Sequence, residues 1–224
     1  MAAALDAGRV EKLYVEESRR SSLSDLLGSA GNAEVVFIDD ARDMAETRAP
    51  QGVVARCRPI MPVPLDSLAT DDAAIIVLDH VEDPQNVGAV VRSAAAAGVT
   101  GLVMSSRRAA PLSATVFKAA AGALERMPVA VVGSIPEALS RLKDRGMWIV
   151  GLDASADKSL FGLDLLTEPV AVVIGSEGSG IAPLTAKRCD VVVSIPMAEG
   201  VESLNTSVSG ALAAFEIMRV RSDA

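Results

Sequence analysis

The 224-residue chain has one Trp, one Tyr and four Phe, too few to build the aromatic platforms on which single-stranded bases stack. Its two cysteines, Cys57 and Cys189, are too few and too far apart for a disulfide framework or a zinc site. Each reads as a small buried hydrophobe in a reducing, cytoplasmic setting, and no metal is expected. A single histidine, His80, makes an ordinary imidazole base a poor expectation. No apolar run approaches the roughly 18 residues that cross a bilayer, and MAAALDAGRVEK lacks the basic-then-apolar layout of a secretory leader. Positive charge is also short. A net charge of -8 and a pI near 4.7 exclude a protein that coats nucleic acid by charge alone. A local basic face remains open, with Arg107, Arg108 and Lys118 best placed to form it.

What is abundant is aliphatic sequence, half the residues being apolar. EKLYVEE, AEVVFIDD and GVVARCRPI read as short strands of a small α/β unit over residues 1–60. PIMPVPLDSLATDD, with three prolines within six residues, reads as a linker over 61–72. From 73 to 224 the runs AAIIVLD, GLVMS, MPVAVVG, MWIVGLD, PVAVVIGS and VVVSIPM alternate with helix-like segments. Unbroken apolar strands imply burial on both faces, and strand–helix alternation implies a parallel sheet with helices on each side. One helix start is explicit: Ser134 and Glu137 form a capping box, Pro136 sits in the first turn, and Gly146 closes the helix.

Ligands of such sheets gather at the strands' carboxyl ends. Three segments there are richer than structure alone requires. In DHVEDPQNVGAVVRSAAAAG, Asn86 reads first as a helix N-cap, and Arg92 lies inside an Ala/Val-rich helix where a buried guanidinium needs an anionic partner, structural or functional. IGSEGSGI holds Gly175, Gly178 and Gly180 after a strand, without the order of a dinucleotide fingerprint or a P-loop. Its glycines would let backbone approach a flat ligand, and Glu177 is either a turn residue or a carboxylate fixed in a cleft. IPMAEGVESLNTSVSG sets Ser203, Thr206, Ser207 and Ser209 around Asn205. One group caps a helix; for Thr206, Ser207 and Ser209 the ordinary expectation is bonding back to their own helix's carbonyls.

In order and spacing, the three segments together resemble the SpoU family of RNA 2′-O-methyltransferases, within the SPOUT superfamily. The first does so through Asn86 and Arg92, the second through Gly175 to Gly178, and the third through Ile195, Pro196, Met197 and Ser203 to Ser207. The similarity covers about residues 73–220. The N-terminal unit is similar to the family's small RNA-binding domain, including QGVVA from Gln51, and AAALDAGRVEKLYV resembles the end of that domain's first helix. Membership implies a knotted (trefoil) parallel-sheet methyltransferase domain, S-adenosylmethionine as donor, a homodimer and RNA as partner. It implies cofactor contacts at Gly175, Ile195, Met197 and Leu204. It further implies that Arg92 binds phosphate and stabilises a developing alkoxide, that Asn86 and Glu177 position it, and that Ser203 and Asn205 hold phosphate or ribose.

The resulting expectation is methylation of a ribose 2′-hydroxyl, in ribosomal RNA before transfer RNA; self-protection against a ribosome-targeting antibiotic would use the same residues. A catalytically silent RNA-binding module is the competing class, and it would have been favoured by loss of Arg92 or of SLN. A small-molecule methyltransferase of another α/β fold would carry a glycine-rich first loop, which DHVEDPQN lacks.

Overall fold

A computed structural model describes residues 1–45 and 50–223. The strand-length runs form two sheets. In the first, β1 (Val10–Glu16) lies between β2 (Glu34–Ile38), to which it is parallel, and β3 (Val53–Cys57), to which it is antiparallel. Val10, Leu13 and Val15 of β1 are buried with Ala4 and Leu5 of the short helix α1 (Ala2–Asp6), and Leu26 and Leu27 of α2 (Ser24–Gly28) pack against them.

The second sheet holds β4 (Ala74–Leu78), β5 (Gly101–Ser105), β6 (Val129–Val132), β7 (Trp148–Leu152), β8 (Val170–Ile174) and β9 (Val191–Val193), in the order β6-β5-β4-β8-β7-β9, with every pairing parallel. Its helices are α3 (Pro84–Ala96), α4 (Ala114–Ala120), α5 (Ile135–Asp144), α6 (Pro183–Ala186) and α7 (Thr206–Ser222). All residues of β4 and β8 are buried, because both sheet faces are covered. Ile76, Leu78, Val172 and Ile174 cluster with Val90 and Val91 of α3 and Ala213, Ala214 and Ile217 of α7. Ile75, Val77, Ala171 and Val173 face Leu139 and Leu142 of α5.

Strands β4, β5 and β6 step outward in one direction, and the chain then crosses to the other side of β4, so the order reverses between β4 and β8. Such a reversal opens a crevice at the carboxyl ends of the two strands. Both α3 and α7 run beneath it. At Gly88 of α3 an added Cβ would stand 2.4 Å from the Ala119 methyl, so glycine sets how closely α3 approaches α4.

The start of α5 is as the sequence indicates: the Ser134 hydroxyl accepts from the Glu137 N–H at 3.4 Å, Pro136 lies in the first turn, and Gly146 follows with φ +85°. The stretch read as a linker is anchored. Val63 N–H donates to the Val129 carbonyl at 2.9 Å, and Leu65 and Leu68, in a 3₁₀ turn, are buried against the α5 side of the large sheet. Its prolines stiffen a segment held at both ends. The small sheet is tied to the large one through Arg9, whose guanidinium makes a two-pronged bond to Glu125, at 2.6 and 2.8 Å, and stacks 4.7 Å over the Phe117 ring.

Candidate active site

The carboxyl end of β8 runs into Gly175, and the loop from Ser176 to Gly180 folds straight back on it. Ser176 and Gly180 exchange backbone hydrogen bonds at 3.1 and 3.0 Å, with φ +80° at Gly178 and +62° at Gly180. A Cβ on Gly175 would sit 1.9 Å from the Gly180 carbonyl oxygen. Glycine is therefore demanded here by the loop's own closure.

Two further segments meet this loop. Residues after β9 bring Ile195 and Met197, and the approach to α7 brings Ser203 and Leu204. With Gly175, Asp153 and Ser209 they line one cleft at the sheet's carboxyl edge. All four residues expected to touch the cofactor share it. Its charged lining residues among those described are Asp153 and Glu202, with no lysine, arginine or histidine. That composition fits a ligand with net positive charge, as a sulfonium-bearing amino acid nucleoside has. The Asp153 carboxylate is fixed by the Ser155 N–H and hydroxyl at 2.9 and 2.6 Å. The loop beyond it is pinned by Glu216 of α7, which is buried and accepts from the Gly162 N–H at 2.7 Å and from Arg219 at 2.7 and 2.8 Å. The Arg219 guanidinium, and after it the Gly162 N–H, hold the Glu216 carboxyl below its usual range against the opposing effect of burial.

Beside the cleft, Asn205 is a hub. Its Oδ1 accepts from the Ser207 N–H at 2.8 Å and the Ser207 hydroxyl at 2.6 Å, which makes the amide, and no hydroxyl, the cap of α7. Its Nδ2 donates to Asn86 Oδ1 at 3.1 Å and to Glu177 Oε2 at 3.3 Å. Three residues from three separated segments thus share one bonded network. Asn86 is not the N-cap of α3: that place belongs to Asp83, whose carboxylate accepts from the Gln85 N–H at 2.9 Å ahead of Pro84. The expectation for the neighbouring hydroxyls is also corrected. Thr206 is buried and donates to the Gly175 carbonyl at 3.4 Å, stitching α7 to the β8 loop; Ser207 bonds Asn205; Ser209 faces the cleft. Ser203 is exposed at the cleft's rim.

Arg92 differs most from its expectation. It is exposed and not buried, because Gln85, Arg92 and Ala96 form the outer face of α3 while Val87, Val90, Val91 and Ala94 face the core. Within one chain it lines a separate hollow with Ala95, Ala121, Arg126 and Met127, away from the Asn86 hub. Residues that sequence reasoning passed over include Asp153, in the first cleft, and Asp79, at the end of β4; Arg108, considered only for a basic face, and His80, considered a poor base, line a hollow with Asn86 and Glu177. Cys189 is half-buried with its thiol pushed up to about 11 by burial, and Cys57 is raised in the same way.

A crevice at the reversal point of a parallel sheet, acid-lined and bordered by an amide–carboxylate network, defines an α/β enzyme that binds a small cationic cofactor beside a polar second substrate. The comparison with known proteins is specific. Residues 73–215 match the model of the SpoU rRNA Methylase family, and the chain belongs to that family. It is 38% identical to the 23S rRNA (guanosine-2′-O-)-methyltransferase RlmB of Ralstonia nicotianae, over 97% of this chain and 90% of that protein. It is 40% identical to the putative TrmH family tRNA/rRNA methyltransferase YacO of Bacillus subtilis, over 80% and 74% of the two chains. Among solved structures, the SpoU methyltransferase AviRb from Streptomyces viridochromogenes, in complex with AdoMet, superposes with a TM-score of 0.86 at 26% identity, covering 100% of this chain and 88% of that one. Among the described residues no helix is long and apolar enough to cross a membrane.

Proposed function

We propose that this protein transfers a methyl group from S-adenosylmethionine to a ribose 2′-hydroxyl of structured RNA, ribosomal RNA in the first instance, acting in the cytoplasm as a homodimer. The observation that carries the reading is the junction of two hollows. The cleft with Gly175, Ile195, Met197 and Leu204 shares Ser176, Ser179, Gly180 and Thr206 with a second hollow that holds Asn86 and Glu177. A ribose in the second stands next to a cofactor in the first.

The cofactor supplies an electrophilic methyl on a sulfonium and leaves as a neutral thioether, so no acid is needed for departure. The protein's task is to hold the hydroxyl in line and manage its proton. Backbone around Gly175 and Leu204 grips the cofactor, Asp153 and Glu202 offset its charge, and the Asn205–Asn86–Glu177 network orients the nucleotide side. Ser203, at the rim, serves phosphate or ribose. We read the crossing of the 176–180 loop, the approach to α7 and the Thr206–Gly175 bond as parts of a trefoil knot, and the small sheet, where Arg20 stacks 4.4 Å over Phe37, as the RNA-selecting unit.

The exposed stripe Val208, Phe215 and Met218 on α7 is the surface we assign to the second copy. Arg92, free of hydrogen-bonded or ionic partners among the described residues and turned from its own hub, is assigned to the site completed by that copy. Comparing ribosomal RNA from cells with and without the gene for a linkage that resists alkali tests the reading. One resistant linkage that disappears with the gene is the expected result, and identical RNA from both would overturn it.

A further inference from the structure

The hollow that holds Arg92 contains a second guanidinium, Arg126, to which the activity above gives no task. Its walls are small and apolar, from Ala95 of α3, the turn at Ala121 and Gly122 after α4, and Ala3 of α1, and no carboxylate lines it. Both arginines are exposed, and neither has an ionic or hydrogen-bonded partner among the described residues. The carboxylate adjacent in sequence, Glu125, is turned away and taken at both oxygens by Arg9, at 2.6 and 2.8 Å. Two like charges around one hollow repel each other, and in a chain of net charge -8 no acidic group has been set there to relieve them. The turn adds a donor. Ala121 and Gly122 hold φ +50° and +89°, and the Gly122 N–H has no hydrogen-bond partner among the described residues. A Cβ on Gly122 would stand 2.8 Å from the Ala3 methyl, so this glycine also lets the small unit close up to the hollow's edge.

We infer that Arg126 is an RNA-backbone contact, seating in this hollow a phosphodiester of the substrate strand outside the target nucleotide itself. For its ligand this rests on the methyltransferase reading. A guanidinium fork matches the two free oxygens of a phosphodiester, and the Gly122 N–H is a third donor at the same wall. Alanine, glycine, valine and methionine between the arginines offer no side-chain donor or acceptor to a base edge, so the contact fixes the strand's register and reads no sequence. Its place in the fold gives it a use. Ala3 belongs to the small unit and Arg92 to the site, so a strand held by the first crosses this hollow to reach the second.

The test is equilibrium binding of ribosomal RNA, without cofactor, between about 50 and 200 mM salt, to the parent, Arg126→Gln, Arg126→Glu and Arg145→Gln. Arg145 is the control for net charge: it is exposed on α5, across the large sheet, where it pairs with Asp66. Arg126→Gln is expected to weaken binding about three- to tenfold at the lowest salt and to reduce the slope of log affinity against log salt by about one. Arg126→Glu should lose more, and Arg145→Gln should leave the slope unchanged. Melting temperatures and light scattering should match the parent's, since Arg126 has no partner to lose. In methyl transfer, Arg126→Gln should raise KM for RNA and leave kcat and cofactor affinity as they were. Parent affinity and slope in folded Arg126→Glu would overturn the inference, as would an equal loss in Arg145→Gln or a change in assembly in place of RNA affinity. Absence of transfer by the parent, with the Arg126 salt effect present, would overturn the methyltransferase reading and leave Arg126 as an RNA contact.

Discussion

Asn205 is both a helix cap and the centre of the nucleotide-side network, and two substitutions separate those roles. Asn205→Ala removes the cap of α7, worth about 1 kcal/mol. It also removes the bonds to Asn86 and Glu177, worth about another 1 kcal/mol once the exposure of Glu177 is allowed for. At about 2–4 °C per kcal/mol for a chain of this size, its melting temperature falls by roughly 4–8 °C. Asn205→Asp keeps the oxygen that accepts from the Ser207 N–H and places a negative charge at a helix N-terminus, a gain of about 0.3–1 kcal/mol. Nδ2, however, becomes a second acceptor facing Asn86 Oδ1 and Glu177 Oε2, now 3.1 and 3.3 Å away. Asn86 can turn its amide and repair its half; Glu177 is repelled. The aspartate variant should therefore melt within about 2 °C of the parent while methyl incorporation into RNA falls at least about tenfold. Thermal unfolding followed by calorimetry, with transfer of labelled methyl measured on the same preparation, reads both. Full turnover in Asn205→Asp would refute the network's role, as would activity that merely tracks the folded fraction in both variants.

Gly175→Ala must push the Gly180 carbonyl away, at a cost of about 1–3 kcal/mol, and should weaken S-adenosylmethionine binding at least about tenfold by calorimetry; unchanged affinity would contradict the loop-closure argument. Glu216→Gln should destabilise the protein at neutral pH by about 1–3 kcal/mol. Because the folded carboxyl titrates below its usual value of 4.5, that stabilisation is present above pH 4.5 and lost as pH falls through the lower folded value, so parent and variant should converge in acid denaturation. Phe215→Glu should convert a dimer to a monomer in light scattering at micromolar concentration, whereas a parent that is already monomeric would refute the assembly. If Arg92 serves its partner's site, mixing and reassembling inactive Arg92→Ala and Asn205→Asp proteins should restore about a quarter of the parent rate, and no recovery would return Arg92 to its own chain.

The sheets were legible because parallel strands buried on both faces leave continuous apolar runs, and the six strands of the large sheet fall on the six runs that stand out. The α5 start was legible because Ser134, Pro136, Glu137 and Gly146 each act locally. Asn86 misled because Asp83 followed by Pro84 is the stronger opening of a helix, three residues earlier than the amide that draws notice. Arg92 misled because alanines on either side hide the helical period; Gln85, Arg92 and Ala96 lie one and two turns apart on a face that the sequence does not mark as outer. Thr206 bonds a carbonyl 31 residues away, and that contact depends on which loop crosses which, information absent from any local pattern. The prolines before β4 mark a linker, and within it Leu65 and Leu68 carry the energetic weight by burial. At Gly175 the nearest constraint is its own loop, a closure that the sequence of the segment does not announce.

The central claim is that the cleft and the Asn205 network act together to methylate a ribose. Incubating the purified protein with ribosomal RNA and methyl-labelled S-adenosylmethionine, then digesting the RNA to nucleosides and separating them by mass, tests it directly. The account predicts label in a single 2′-O-methylnucleoside from the parent protein and at least about tenfold less from folded Asn205→Asp. Label carried on a base, or equal label from the two proteins, would contradict it.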